Sequence, residues 1–218
     1  EHETLKYFDT LQLQGIRIIE YPKPFNFSDM NNWAVEHANG EFVCLLNNDT
    51  EVISPDWLEE MLSFAQRPKC GAVGARLWYP NHTLQHAGVI LGLGGVAGHA
   101  HVGLHQGHTG YFGIAALHHR VSAVTAACLM TRKEIYQAVG GFNQDLAVAF
   151  NDVDFCLRLK KVGYYCVWTP HAQLYHHESI SRGHDLDPDK VARFQSEVDY
   201  MKSHWMGDLE ADPYYSPN

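Results

Sequence analysis

Short apolar runs and longer amphipathic stretches alternate along this chain, which is the pattern of an α/β protein. The runs of four or five apolar residues predict strands, and the stretches with apolar residues three or four positions apart predict helices. Strands are expected over 16–19, 42–46, 71–75 and 164–168, and helices over 3–13, 29–38, 55–66 and 132–139, with further helices after 151 and from 187. A second long apolar run covers 121–130.

Polar residues and prolines set the expected ends of these elements. Ser28, Ser54 and Thr131 stand where helix N-caps belong, and Glu134 completes a capping box with Thr131. Because proline cannot donate to a strand ladder, Pro170 is expected to end the strand that begins at 164.

The segment from Glu41 to Val52 is the centre of this pattern. Its apolar run ends abruptly in Asn47, Asn48 and Asp49. Open α/β sheets bind ligands at the carboxyl ends of strands, and in an extended chain Asn47 and Asp49 point to the same side. The carboxylate of Asp49 is a hard oxygen ligand of the kind that Mg²⁺ or Mn²⁺ prefers. An Asn/Asp turn between a strand and a helix accounts for the same residues without any ligand.

A second acidic pair, Asp152 and Asp154, lies further along the chain. Phe155, Leu159 and Val162 repeat at helical spacing after it. Both acids therefore fall in the first turn of a helix, where the helix dipole favours their ionised forms. Ordinary N-capping explains Asp154 as well as a functional role does.

The stretch from Gly88 to Gly113 is rich in glycine and histidine. It contains nine glycines, together with His99, His101, His105 and His108. One interpretation is a zinc or nickel cluster, although structural zinc sites favour tight, repeated ligand spacing and usually cysteine. The other, which we favour, is a mobile loop that covers a substrate.

Composition narrows the class of protein. The 218 residues suffice for one domain with a sizeable core. A formal net charge of −9 leaves no basic stripe for nucleic acid. No apolar run approaches the length of a bilayer span. The five cysteines are scattered and form no CxxC pair, as in a reduced, cytoplasmic protein.

Several spaced motifs, taken together, resemble glycosyltransferase family 2 over about residues 3 to 183. They are Pro24-Phe25-Asn26, Asn32, Gly40-Glu41, Leu46-Asn47-Asn48-Asp49, Asn151-Asp152-Val153-Asp154 and His176. The resemblance implies a mixed, mainly parallel α/β sheet flanked by helices, the A-type nucleotide-sugar glycosyltransferase fold. It implies a catalytic domain over 1–183, with 184–218 as a C-terminal helix and tail packed on it.

The resemblance also implies roles for individual residues. Asp152 matches the catalytic base of this inverting family, and Asp49 and His176 match the residues that hold Mn²⁺ or Mg²⁺ against the donor diphosphate. Asn32, Asn47, Asn48 and Asp49 would position the nucleotide sugar. His99, His101 and Asp154 are expected on the side of the glycan acceptor. The usual Asp-x-Asp motif reads Asn47-Asn48-Asp49 here, with one carboxylate fewer.

The two strands that begin the family's domain have no counterpart in this sequence, so we expect an N-terminally truncated sheet with an unpaired edge. Dimerisation would cover that edge, and other parts of the full protein would supply any attachment to the inner face of a membrane. Two other interpretations stay open at this point. One is a glycan-binding or assembly module without catalysis, and the other is a histidine-rich metal-binding protein.

Overall fold

The computed structural model describes residues 2–177 and 188–216, and within these ranges it contains six α-helices and nine strands. The helices are α1 His2–Leu13, α2 Phe27–His37, α3 Trp57–Ala65, α4 Lys133–Ala138, α5 Asn151–Lys161 and α6 Pro188–Leu209. The strands are β1 Phe42–Leu46, β2 Thr50–Val52, β3 Cys70–Trp78, β4 Leu84–His86, β5 Val89–Leu91, β6 Ala97–His99, β7 His119–Val121, β8 Cys128–Arg132 and β9 Tyr165–His176. Short 3-10 turns cover Leu93–Gly95 and Tyr111–Ala116.

Seven of the described strands form one mixed sheet. Its main path runs β1-β8-β3-β9-β2, with β4 paired to β3 and β7 paired to β9. Strands β3 and β9 are parallel, and the other pairs in the described residues are antiparallel. The mixed sheet is therefore confirmed, whereas the predicted predominance of parallel pairing is absent from this part of the chain. Strands β5 and β6 form a separate hairpin.

The core lies on both faces of the sheet because β3 is buried along nearly its whole length. Val73 and Leu77 pack with Met61 of α3 on one face. Ala72 packs with Phe155 of α5 on the other face, in the same cluster as Trp205 of α6. An all-apolar run of this kind is expected for a strand that is covered on both sides.

Strand pairing brings the end of β1 to the end of β9. In the ladder between β2 and β9, Thr50 lies opposite His176. In the ladder between β1 and β8, Leu46 lies opposite Cys128, and the N–H of Asn47 then donates to the carbonyl of Ala127 at 3.0 Å. The polar residues after β1 therefore meet β9 on one side and the segment before β8 on the other.

The predicted strand over 16–19 is wrong: this segment is irregular and half of Ile16 is exposed. Its apolar side chains are too few to bury, and it has no ladder partner among the described residues. Strand β1, by contrast, stands at the end of the described strand order, consistent with the expected free edge.

Three of the predicted helix caps are also wrong. Asn26 caps α2, and its side chain accepts from the N–H of Asp29, while Ser28 is buried and donates to the carbonyl of Leu146. The helix predicted from Ser54 begins after Asp56, and Thr131 lies inside β8 with its hydroxyl donating to the carbonyl of Gly71. For Ser28 and Thr131, hydrogen bonds to distant segments have displaced the local capping preference.

Pro170 does not end its strand, because β9 continues to His176. The register between β3 and β9 shifts at this point, from Gly74 opposite Trp168 to Arg76 opposite Gln173. The proline thus sits in a bulge, where its missing N–H costs no ladder hydrogen bond. Beyond the bulge, β9 continues to His176, which pairs with Thr50 of β2.

The C-terminal half of helix α6 packs against the hydrophobic core. Met201, Trp205 and Leu209 are buried, whereas Val191 and Phe194 of the predicted apolar stripe are about half exposed. The predicted boundary between 183 and 184 lies outside the described residues. Among the described helices, none is both long and apolar enough to cross a bilayer.

Candidate active site

Asp49 and His176 meet at the ends of β1 and β9. Oδ1 of Asp49 lies 3.2 Å from Nε2 of His176, and the amide nitrogen of Asn47 lies 3.2 Å from the same imidazole nitrogen. The backbone supports this contact, since the N–H of His177 donates to the carbonyl of Asp49 at 2.9 Å. Asn48 lies between Asn47 and Asp49, whose side chains face His176, and is itself exposed.

Gln85 fixes the proton of this imidazole. Nδ1 of His176 lies 2.8 Å from Oε1 of Gln85, which is an acceptor, so the proton is assigned to Nδ1. The amide nitrogen of Gln85 donates back to the carbonyl of His176. Nε2 then presents a lone pair, consistent with the N–H donor that Asn47 directs at it. A hydrogen-bonded partner of this type is what orients histidines that ligate metals.

The resulting arrangement suits a divalent cation. Oδ1 of Asp49 is buried and accepts no hydrogen bond from any described residue, although it faces the lone pair of His176. A neutral imidazole and a carboxylate at this distance repel each other unless a positive charge lies near both, whereas a protonated imidazole would form an ion pair with Asp49. Nowhere in the described residues do three His, Cys, Asp or Glu side chains group closely enough to hold a metal alone. Two protein ligands suffice, however, when phosphate oxygens and waters complete the shell around Mg²⁺ or Mn²⁺.

Asp152 lies in the first turn of α5, as predicted. Its Oδ2 accepts from the N–H of Ala126 at 3.0 Å, and its Oδ1 accepts from the N–H of Val153 at 2.8 Å. These bonds hold the carboxylate in one orientation and leave further lone pairs on each oxygen. Residues 151–157 are otherwise buried, and Asp152 alone among them is partly exposed.

The segment Thr125–Ala127 connects the two acidic residues. Ala126 donates to Asp152, and the next residue, Ala127, accepts from the N–H of Asn47. The metal-type site and the carboxylate of Asp152 therefore share one short piece of backbone. Immediately before Asp152, Phe150 has a positive φ of 60°, a strained conformation for a residue with a side chain.

Asp154 has a structural environment. Its Oδ2 pairs with Nε of Arg158 at 2.8 Å, and its Oδ1 accepts from the indole of Trp205 at 2.9 Å. Both oxygens are occupied and the residue is 1% exposed. These contacts correct the expectation that Asp154 faces the acceptor.

Asn32 also has structural partners. Its Oδ1 accepts from the hydroxyl of Tyr136 and the N–H of Phe142, and its Nδ2 donates to the carbonyl of Phe142. These bonds tie α2 to the turn after α4. They give no support to the predicted role in positioning the nucleotide sugar, and none joins Asn32 to Asp49 or Asp152.

The glycine-histidine stretch is only partly a loop. It contains the hairpin of β5 and β6, and the imidazole of His99 at its end lies 2.8 Å from that of His86, Nδ1 to Nδ1. His86 is fully buried, and its Nε2 accepts from the N–H of Thr125 at 3.4 Å. Burial holds the pKa of His86 well below its ordinary value of 6.5, and His99 and His176 lower it further.

Sequence reasoning missed Gln85 and His86. They belong to a short buried strand of three residues, Leu84–His86, which is too short to show a period.

His101, by contrast, was predicted on the acceptor side. It lines a cavity rather than the Asp49–His176 contact. Burial lowers its pKa, and so does His119.

Comparison with known proteins identifies the family. The profile described as "Glycosyl transferase family 2" matches residues 2–140, more than half of the sequence. The chain belongs to glycosyl transferase family 2. The family predicted from the spaced motifs is thereby confirmed.

Curated relatives extend the match across the chain. The uncharacterized protein y4gI of Sinorhizobium fredii is 53% identical over 223 residues, which cover 100% of this chain and 24% of that protein. The O-antigen biosynthesis protein RfbC of Myxococcus xanthus is 41% identical, covering 92% of this chain and 16% of RfbC. An N-acetylglucosaminyl-diphospho-decaprenol L-rhamnosyltransferase of Mycobacterium tuberculosis is 30% identical over 87 residues, covering 40% of this chain and 28% of that enzyme. The chain thus spans about a quarter or less of the length of its first two relatives.

Solved structures confirm the fold. GalNAc-T7, crystallised with UDP, GalNAc and Mn²⁺, matches 95% of this chain and 41% of its own with a TM-score of 0.71 and 9% identity. The mannosyltransferase PcManGT from Pyrobaculum calidifontis, in complex with GDP-Man and Mn²⁺, matches 77% of this chain and 40% of its own with a TM-score of 0.53 and 16% identity. At these identities the similarity concerns the fold alone.

Proposed function

We propose that this chain carries out metal-dependent, inverting sugar transfer from a nucleotide-diphosphate donor to a hydroxyl group of a glycan acceptor. The observation that carries the proposal is the shared backbone of Thr125–Ala127, which joins Asp152 to the Asp49–His176 contact. A glycosyltransferase needs a carboxylate that accepts the proton of the acceptor hydroxyl, and close to it a positive charge that stabilises the leaving diphosphate. Because the chain belongs to a glycosyltransferase family, we assign these two roles to Asp152 and to the Asp49–His176 pair.

Asp49 and His176 would hold Mn²⁺ or Mg²⁺, which supplies positive charge to the diphosphate when it is bound. Oδ1 of Asp49, which accepts no hydrogen bond from a described residue, fits that role, and so does Nε2 of His176 once it exchanges the amide of Asn47 for the metal. Asn47 and Asn48 adjoin these ligands and would orient the donor, which accelerates the reaction by positioning alone. The two solved structures described above contain Mn²⁺, so we propose Mn²⁺ as the first metal to test.

Asp152 is the proposed base. Its carboxylate accepts the proton of the acceptor hydroxyl while that oxygen forms the new bond to the anomeric carbon. The bond from the anomeric carbon to the diphosphate oxygen breaks on the opposite side, and the diphosphate leaves with the bonding electrons. One displacement inverts the anomeric configuration. The N–H groups of Ala126 and Val153 keep the carboxylate aimed throughout.

The relatives suggest the substrate class. One is named for O-antigen biosynthesis and another for transfer of L-rhamnose to a diphospho-linked N-acetylglucosamine. We therefore propose hexosyl or 6-deoxyhexosyl transfer during polysaccharide synthesis. The five free cysteines fit a cytoplasmic location, which for a diphospholipid-linked acceptor means the inner face of the membrane.

The test is a transfer assay on the full-length protein with a panel of nucleotide-sugar donors, with Mn²⁺ and with EDTA. The expected result is Mn²⁺-dependent release of nucleoside diphosphate and a product whose anomeric proton coupling shows inversion. Retention of configuration would contradict the single displacement. Glycan binding without donor turnover under any metal condition would instead favour a non-catalytic glycan-binding module.

A further inference from the structure

A cavity of about 510 Å³ lies between the β5–β6 hairpin and the C-terminal tail. Residues 87–90 line it, together with Tyr111, Tyr214, Tyr215, His101, His119 and Asp212. The volume is in the range of small-molecule sites and would accommodate a sugar residue and part of its neighbour.

The tail forms its wall through specific contacts. Oδ2 of Asp212 accepts from the N–H of Leu91 at 2.8 Å, and Oδ1 accepts from the N–H of Tyr214 at 2.8 Å. The carboxylate thereby ties the tail to the hairpin at Leu91 and sets the turn that presents the two tyrosines. The backbone of Leu209 also lies directly against Gly92, where an added Cβ would come within 2.4 Å of the Leu209 carbonyl oxygen.

The cavity adjoins the candidate active site. Ala87 of its lining comes two residues after Gln85, so roughly 7 Å of extended chain separates it from the partner of His176. Val89 of the lining also pairs with Ala123, three residues before the Ala126 N–H that binds Asp152. The cavity lining is therefore two residues along the chain from Gln85, and its strand partner Ala123 is three residues from the N–H that binds Asp152.

The lining is amphipathic. Each of the three tyrosines joins a broad apolar ring to a hydroxyl, and Tyr214 and Tyr215 are about half exposed, which leaves ring surface for a ligand to cover. Burial and His119 lower the pKa of His101, which favours the neutral imidazole, with one donor and one acceptor. A purely apolar guest would bury these polar groups without partners, at a cost.

We infer that this cavity is a sugar subsite for the acceptor glycan, with Tyr214 and Tyr215 of the tail packing against the apolar face of one ring and with His101 and the phenols meeting its hydroxyl groups. The inference rests on the proposed function for its biological meaning. Sugar binding itself does not require the metal or the donor, so the two can be tested separately.

The experiment is saturation-transfer NMR on the full-length protein in EDTA and without donor. The probes are methyl glycosides of hexoses, 6-deoxyhexoses and N-acetylhexosamines, with n-octanol as an apolar probe. The variants are Tyr215→Ala and the matched control Tyr7→Ala, which removes a comparably exposed tyrosine from α1. We expect at least one glycoside to bind, with an affinity about tenfold weaker in Tyr215→Ala and unchanged in Tyr7→Ala.

Other results overturn the inference. It fails if no glycoside binds, if the two variants bind equally well, or if only octanol binds in a Tyr215-dependent way. Transfer activity with an acceptor KM that Tyr215→Ala leaves unchanged would remove the cavity from the acceptor path and leave the proposed function standing. Tyr215-dependent glycoside binding in a protein without transfer activity would overturn the proposed function and leave the sugar site standing.

Discussion

Oδ1 of Asp49 faces Nε2 of His176 at 3.2 Å, at the meeting point of two strands that the sequence separates widely. With Gln85 accepting from Nδ1, a neutral imidazole presents its unprotonated Nε2 to this carboxylate oxygen and to the amide of Asn47. Either a divalent cation beside both atoms or a second proton on the imidazole would stabilise this contact, and binding of a metal distinguishes the two.

The first prediction concerns Asp49. Asp49→Ala removes the one carboxylate of the site, so binding of UDP or GDP that depends on Mn²⁺ should disappear. Isothermal titration calorimetry with Mn²⁺ and with EDTA measures this. Glu51→Ala is the matched control, because its carboxylate is nearby but largely exposed. Undiminished Mn²⁺-dependent affinity in Asp49→Ala would remove this residue from the site.

The second prediction concerns Gln85. Gln85→Leu removes the acceptor for Nδ1 of His176, and loss of such partners typically lowers metal affinity by about 10- to 100-fold. Gln85→Glu restores an acceptor and should restore most of the affinity. A purely structural role would show as a lower Tm in Gln85→Leu, with Mn²⁺ affinity equal to that of the unsubstituted protein.

The third prediction concerns Asp152. Asp152→Asn keeps the size of the side chain and one acceptor oxygen but removes the proton acceptor. The kcat should fall by roughly 100-fold or more, the usual scale of general base catalysis. Donor affinity should stay constant, since the base acts on the acceptor hydroxyl. Sugar transfer is measured beside donor binding by calorimetry.

Two outcomes would change the assignment of Asp152. A near-normal kcat in Asp152→Asn would exclude it as the base. Lost donor binding with a normal Tm would move it into the diphosphate site instead.

The sequence predicted the parts of this site that follow from local pattern. The apolar run before Asn47 identified β1, and helical spacing after Asp152 placed that residue in a first turn. Each signal lies within a dozen residues of the group it locates. The same reasoning could not show that Asp49 faces His176, because that contact depends on the pairing of β2 with β9.

The failures have a common physical cause. The family motifs placed Asn32 and Asp154 in the site, yet both make tertiary hydrogen bonds to distant segments. The role of Asn32 stays a prediction. Gln85 looked unimportant because a three-residue strand shows no period. Whether a polar side chain is free or occupied depends on contacts between distant residues, which composition and spacing do not encode.

The fourth prediction concerns pH. His86 has a pKa well below 6.5 in the folded protein, because it is buried among His99, His176 and the backbone of Thr125. As the pH falls below about 6.5, the unfolded chain takes up a proton at this residue before the folded protein does. The free energy of unfolding should therefore decrease on acidification, by about 1.4 kcal/mol for each unit by which the pKa is lowered.

Urea unfolding in EDTA at pH 7.5, 6.5 and 5.5 measures this effect. His86→Gln should flatten the decrease, while His2→Gln, an exposed histidine on α1, should not. An equal slope in His86→Gln and the unsubstituted protein would assign the pH dependence to other groups.

The last prediction separates Asp154 from Asp152. Asp154→Asn keeps an acceptor for the indole of Trp205 but removes the charge that pairs with Arg158. Breaking a buried ion pair commonly costs about 3–5 kcal/mol. Because the Arg158 side chain is 24% exposed, water partly replaces the lost partner, and we expect a smaller loss of about 2 kcal/mol in the free energy of unfolding. The kcat below the unfolding transition should stay within about twofold of its original value, since neither oxygen of Asp154 is available to a substrate. Denaturant unfolding and the transfer assay on the same preparation measure the free energy of unfolding and the kcat.

The contradicting outcome is an unchanged free energy of unfolding together with a large loss of kcat. It would mean that Asp154 contacts the acceptor after all, and Asp154 would then compete with Asp152 for the role of the base.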